Sequence, residues 1–194
     1  MPTFSFNAKN ELAARFADKH VAAFVEGISE ETEKAIRAVI ARSIREGIAP
    51  SAAAKMIRSV IGLTTPQALA AASYRDELEL QGLSEDRVDS LLDKYVDRKL
   101  AERGLTIART EIMSALNAGA FNAWRQAQRL GYLSASAKKR FVTTPDEMHP
   151  ACPICRPMNK EVQPLNKPFI VPDGRKVMFP PVHPRCRCTV EIVP

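Results

Sequence analysis

Apolar residues recur at helical spacing along the first two-thirds of the chain and lose that period after Gly131. Ile36, Val39, Ile40 and Ile44 form one stripe, and Val88, Leu91, Leu92, Tyr95 and Val96 another, at the three-and-four spacing that lines one face of a helix. Gly27, Gly47, Gly62, Gly82, Gly104 and Gly131 punctuate the region at helix-length intervals, each suited to a left-handed C-terminal cap. Start signals follow several of them: Ser29 before Glu30-Glu31, Pro50-Ser51, Thr65-Pro66, and Ser84 before Glu85-Asp86. The pattern predicts helices over 9–26, 30–46, 51–61, 66–81, 85–103 and 105–130. The segments between the glycines are not repeats of one another, so a helical array is expected rather than a solenoid.

The last of these helices carries an unusual surface. Ile112, Leu116, Ala120, Ala123 and Ala127 make a narrow stripe of small residues that permits close approach of another backbone. Thr110, Ser114 and Asn117 line a second face, followed by Phe121 and Trp124. Polar groups on such a helix are expected to bond to a neighbouring loop.

Beyond Gly131 the pattern predicts short strands at 141–144, 177–179 and 189–193, with Pro172-Asp173-Gly174-Arg175 as a hairpin turn after Phe169-Ile170-Val171. The expected fold class is therefore α+β: an N-terminal helical array, then a long helix packed on a small irregular β unit. So few apolar residues bury too little surface to order so much loop, which calls for a covalent or metal staple.

Charge and proline content divide the chain at the same place. Residues 1–104 carry 15 Lys and Arg against 16 Asp and Glu, whereas residues 105–194 carry 13 against 6, a net of +7. Three prolines precede residue 105 and eleven follow it. Two regions are expected, a helical one over 1–104 and a basic one over 105–194. A basic half suits nucleic acid or an acidic protein surface, with Lys138, Lys139 and Arg140 as the contact residues. No apolar run is long enough to span a membrane, and the N-terminus lacks the pattern of a secretory signal, so a cytoplasmic, reducing setting is expected.

All four cysteines fall in the last 43 residues, as Cys152-Pro-Ile-Cys155 and His183-Pro-Arg-Cys186-Arg-Cys188. Two short-spaced pairs joined by a loop can place four thiolates around one tetrahedral Zn²⁺. Two disulfides are disfavoured by the compartment and by the strain of a Cys-x-Cys bridge. The ligands expected are Cys152, Cys155, Cys186 and Cys188, with His183 or His149 able to replace one sulfur. Four ligands leave no open position for water, so the zinc is expected to be structural.

Together these residues carry a resemblance. Ala108-Arg109-Thr110-Glu111, then Asn117 and Trp124 on one helix, followed by Thr144, Asp146, the Cys-x-x-Cys and a closing Pro180-Pro-Val-His183-Pro-Arg-Cys186-Arg-Cys188, resemble the phage Mu F-like minor head proteins, or phage head morphogenesis proteins. The resemblance covers about residues 105–194. It implies a structural role for Arg109, Thr110, Glu111, Asn117 and Trp124, and a low-copy component of a phage or prophage head. Such a component acts with the portal and other capsid components, in the host cytoplasm during assembly and then in the virion head.

Three function classes follow. A structural and assembly protein is the leading one, with no small-molecule substrate. A zinc-stapled, non-specific DNA binder is the alternative, presenting Arg185 and Arg187 beside Lys138, Lys139 and Arg140. An enzyme of the toxin-like kind comes last, because Glu111, Asp146 and His149 show no nucleophile–base spacing, no Gly-rich phosphate loop and no carboxylate pair.

Overall fold

The computed structural model describes residues 11–20, 25, 28–143 and 152–193. Thr144, Asp146 and His149 lie outside the described residues. Five α-helices come first: α1 (Glu11–His20), α2 (Glu30–Glu46), α3 (Pro50–Arg58), α4 (Thr65–Leu80) and α5 (Glu85–Arg129). Five short strands follow: β1 (Lys138–Val142), β2 (Val162–Pro164), β3 (Phe169–Ile170), β4 (Lys176–Val177) and β5 (Thr189–Val193). A single 3₁₀ turn, Arg156–Met158, separates β1 from β2. The α+β class expected from the sequence is the one observed.

Local chemistry accounts for most boundaries. The Ser29 hydroxyl accepts the Thr32 N–H at 3.2 Å and starts α2. Gly47, at φ 70°, ends that helix in the left-handed conformation. The start of α4 is a reciprocal capping box one residue earlier than Thr65-Pro66 suggested: Gln67 N–H bonds the Thr64 hydroxyl at 3.4 Å, and the Gln67 side chain accepts from Thr64 N–H at 3.0 Å.

The largest departure from expectation is at Gly104. The two helices expected over 85–103 and 105–130 are one continuous helix of 45 residues, and Gly104 lies inside it. It is a packing glycine, not a cap. A Cβ there would lie 2.9 Å from the backbone oxygen of Ala54, because α3 crosses α5 at that point. Gly119 has the same role for α1, where a Cβ would meet Ala13 at 2.7 Å. The close backbone approach anticipated for α5 thus occurs at Gly119 beside Ala115 and Ala118, all buried, rather than along the stripe from Ile112 to Ala127.

Two cores flank α5. In the first, Ile36, Ile40, Ile44, Ile57, Ile61 and several alanines of α1 to α3 close on Ile107, Ala108, Ile112 and Ala115. In the second, Phe121 and Trp124 from the C-terminal third of α5 close on Phe141, Met158, Leu165, Phe169, Val171, Val182 and Val190. The described residues of 138–193 include a three-stranded antiparallel sheet in the order β2-β1-β5 and a β3–β4 hairpin. In the hairpin Gly174 is at φ 86° and the Asp173 carboxylate accepts from Arg175 N–H at 3.0 Å, the turn read from the sequence. The first strand runs from Lys138 rather than from Phe141, and β2 has no apolar alternation by which to recognise it. No helix among the described residues is long and apolar enough to cross a membrane.

Candidate metal centre and its seat on the long helix

Two turns of the same design face each other. In the first, Cys155 N–H bonds Cys152 O at 3.1 Å and also donates to Cys152 Sγ at 3.3 Å. In the second, Cys186 N–H bonds His183 O at 3.2 Å. The first turn brings Cys152 and Cys155 against His183 of the second, and Cys186 of the second turn lies beside Cys155. His183 Nε2 lies 3.0 Å from Cys152 Sγ and 3.2 Å from Cys155 Sγ, and Cys155 Sγ lies 3.7 Å from Cys186 Sγ. Cys188 joins Cys155 and Cys186 in a second compact group, so Cys155 is shared by both. The four thiols are free, with no disulfide among them.

This donor set fits a metal ion. An ion about 2.3 Å from each of two sulfurs in a tetrahedral shell holds them about 3.8 Å apart, close to the Cys155–Cys186 separation. The imidazole is oriented from behind: His183 Nδ1 lies 2.6 Å from the Pro184 carbonyl oxygen, which fixes Nε2 as the atom facing the thiols. The proton affinities in the cluster show how tightly it is packed. Hydrogen bonds with Cys155 and Cys188 push the Cys186 thiol well down, and the reciprocal bonds from Cys186 and Cys188 hold the Cys155 thiol up. For Cys152, burial raises the thiol, and the backbone N–H of Cys155 leads the contacts that bring it down overall. The hydrogen bond with Cys186 raises His183 to about 9. The cluster can hold a metal ion, and His149 lies outside the described residues.

The loop carrying His183 and Cys186 is seated on α5 by the residue between them. Arg185, at φ 63°, donates its backbone N–H to the Thr110 hydroxyl at 2.8 Å. Its guanidinium reaches Thr106 Oγ1 at 2.6 Å and Glu102 Oε1 at 2.9 Å. Glu102, Thr106 and Thr110 are spaced four apart and therefore stack on one face of the helix. That pairing holds the Glu102 carboxyl below its ordinary range, chiefly through the Arg185 hydrogen bond. Two turns further on, the buried Asn117 amide donates to Cys188 O at 3.2 Å and accepts from Val190 N–H at 3.0 Å. It pairs with the β5 backbone as a neighbouring strand would.

At this point the family can be stated. The model of the phage Mu protein F like protein family matches residues 34–191. The chain belongs to that family. No curated protein and no solved structure matches it. The family match begins inside α2 and covers α3, α4 and the whole of α5 as well as the motifs after residue 105. Membership places the protein in a phage head morphogenesis family, which implies association with other capsid components.

Within this family member, the residues singled out in the sequence separate into three groups. Thr110 and Asn117 hold the C-terminal unit as described, and Trp124 is buried in its core. Glu111 is also buried, whereas Arg109 is exposed on α5. Of the basic trio, Lys138 is exposed and Arg140 is paired with Glu191 at 2.7 Å. Lys139 is 0% exposed, which removes it from any contact surface. Its ammonium lies 4.8 Å from the Phe121 ring centre and 5.2 Å from that of Phe169, and it donates to Leu165 O at 3.4 Å. Burial, aided by Arg125, lowers it to about 8. The reason is strand alternation: Lys139 and Phe141 point inward from β1 while Lys138 and Arg140 do not. Arg185, which the alternative DNA-binding reading offers to phosphate, docks on Glu102 and Thr106; the offsets of four on α5 were the available signal in the sequence.

Proposed function

We propose that this protein is a minor head component that acts with the portal during head morphogenesis, its C-terminal unit ordered by one structural Zn²⁺. The family match over residues 34–191 carries the assembly reading. The zinc reading is supported by the facing Cys152–Cys155 and His183–Cys186 turns. Those four residues are the proposed ligands, because His183 Nε2 contacts both Cys152 and Cys155 and Cys186 lies 3.7 Å from Cys155. Cys188 then becomes the fifth donor in the cluster, outside the shell, in contrast to the four-cysteine set expected from spacing. Four protein ligands supply no open position, so the ion serves folding and not catalysis. Residues 105–194 carry the unit the zinc orders, which is seated on the second half of α5, and residues 1–104 form the helical region that presents it.

Co-expression with the portal protein of the same phage tests the assembly reading: a complex that survives purification is expected, and its absence with a correctly folded chain counts against portal contact. Metal analysis of the Cys152→Ser, Cys155→Ser, His183→Ala, Cys186→Ser and Cys188→Ser variants tests the ligand set. Only Cys188→Ser is expected to keep its zinc.

Non-specific DNA contact is a second reading, supported by the absence of any acidic residue between Ile112 and Thr143, where Arg125, Arg129 and Lys138 lie. It predicts binding to unrelated duplexes that falls steeply with salt, as counterion release requires.

A further inference from the structure

α4 and the start of α5 form a helical hairpin. One face of α4 is turned toward α5: Ala71 and Leu78 are buried, and the Tyr74 ring stacks on Tyr95 with centres 4.9 Å apart. Leu69, Ala72, Asp76 and Leu80 lie at helical spacing on the opposite face, with Leu69 65% and Leu80 89% exposed. The exposed Asp76 stands between the two leucines, so this face mixes apolar and acidic side chains. Around the hairpin turn the surface is also strongly acidic. Residues 75–93 carry seven acidic side chains against two basic ones, a net of −5. Leu83 stands at the turn, where a surface pocket is lined by Arg75, Glu79, Leu83, Glu85 and Val88.

The far end of α5 has the complementary character. From Ile112 to Thr143 every charged side chain is basic. Arg125 and Arg129 lie on the last turns of the helix, and Leu130 and Tyr132 follow at its C-terminus, 62% and 78% exposed. The 45-residue helix separates the two ends by about 67 Å. The tip of one chain therefore cannot reach the basic end of the same chain.

We infer that the acidic, leucine-bearing tip of one copy docks on the basic C-terminal end of α5 in a second copy. DNA would satisfy Arg125 and Arg129 but would leave Leu130 and Tyr132 uncovered, and the acidic tip repels it. Opposite charge and apolar side chains on both patches favour a second copy of this chain. The patches differ, so the contact is head-to-tail and each pair retains one free tip and one free end, a geometry that closes into rings or extends into filaments. The inference does not depend on the zinc reading.

Sedimentation of the full chain at low ionic strength tests it, using a tip variant (Leu69→Asp with Leu80→Asp) and an end variant (Leu130→Asp with Tyr132→Asp). All four positions are exposed, and unchanged helical circular dichroism confirms that each variant folds. The wild type is expected to gain mass with concentration across about 1–100 μM, and to lose about tenfold in affinity when salt shortens the screening length. Each variant alone is expected to fail to extend. A one-to-one mixture is expected to form a dimer and nothing larger, since one intact tip meets one intact end. A wild type that stays single-chain throughout, or variants that associate as the wild type does, would overturn the inference. So would a mixture that forms no dimer while the wild type associates.

Discussion

Where α1 and α3 cross α5, isoleucine and alanine side chains fill a continuous core, and Gly104 and Gly119 let the backbones touch. Where residues 138–193 meet the same helix, the elements are strands of two to five residues, and point contacts position them: Asn117 on β5, Arg185 on Glu102 and Thr106, and the Cys/His cluster between two loops. The difference is one of where order comes from. Helices satisfy their own backbone and need only a face to bury. The C-terminal unit is built from short strands and loops, so those loops are fixed in place by a few residues distant in sequence.

The sharpest way to break that contrast is at Cys155, which both donor groups share. Cys155→Ser is expected to abolish metal binding and expose backbone amides across 138–193 to hydrogen exchange, while amides of α2, α3 and the first half of α5 keep their protection. Loss of protection in both halves together would show that the cores are not separable.

Asn117→Ala comes next. It removes both bonds to β5 and leaves the Cys188 carbonyl and Val190 N–H buried, at a cost of about 1–3 kcal/mol for each group left unsatisfied. Thermal unfolding is expected to shift to lower temperature, with the first local loss of protection at β5.

The helical half is tested by Gly104→Ala. On an exposed helix that change would stabilise by about 1 kcal/mol, but here the new Cβ would lie 2.9 Å from Ala54 O. Overpacking of this kind costs about 1–3 kcal/mol, so net destabilisation is expected in denaturant unfolding, and a gain in stability would contradict the close crossing of α3.

These contrasts also explain what the sequence disclosed. Helix periodicity and cap chemistry located α2, α3 and α4 to within a few residues, because they are local signals. Gly104 misled because a glycine that ends a helix and one that admits a neighbouring helix look alike until the neighbour is in place. The Cys and His spacing identified the cluster. It did not choose among five donors, since that choice depends on how two turns separated by a long loop face each other. Thr110 and Asn117 were legible as polar groups on an alanine-rich helix. Lys139 was not: its neighbours Lys138 and Arg140 suggested a basic patch, and only the register of β1 with β2 and β5 turns it inward.

Two smaller effects sharpen the account. Lys139 sits at about 8 in the folded protein, below its usual 10.5. The unfolded chain therefore holds more protons between those values, so the group's burial cost is fully present below pH 8 and is relieved as pH rises toward 10.5. Lys139→Met is expected to remove that rise in stability when unfolding is followed across the same pH range. Arg185→Ala is expected to have the smallest effect, about 1 kcal/mol or less, because its pair with Glu102 is exposed to solvent. Glu102 has a lowered folded value, so its contribution is present at neutral pH and lost as pH falls through that value. The wild type and Arg185→Ala should therefore converge in stability on acidification.

The central claim is that a metal ion orders the C-terminal unit while the helical array stands without it. Native mass spectrometry of protein made with zinc available, paired with hydrogen exchange before and after a strong chelator, tests it most directly. The account predicts one zinc per chain, and loss of protection on chelation confined to 138–193. Zinc-free protein with four freely reactive thiols and full protection over 138–193 would contradict it.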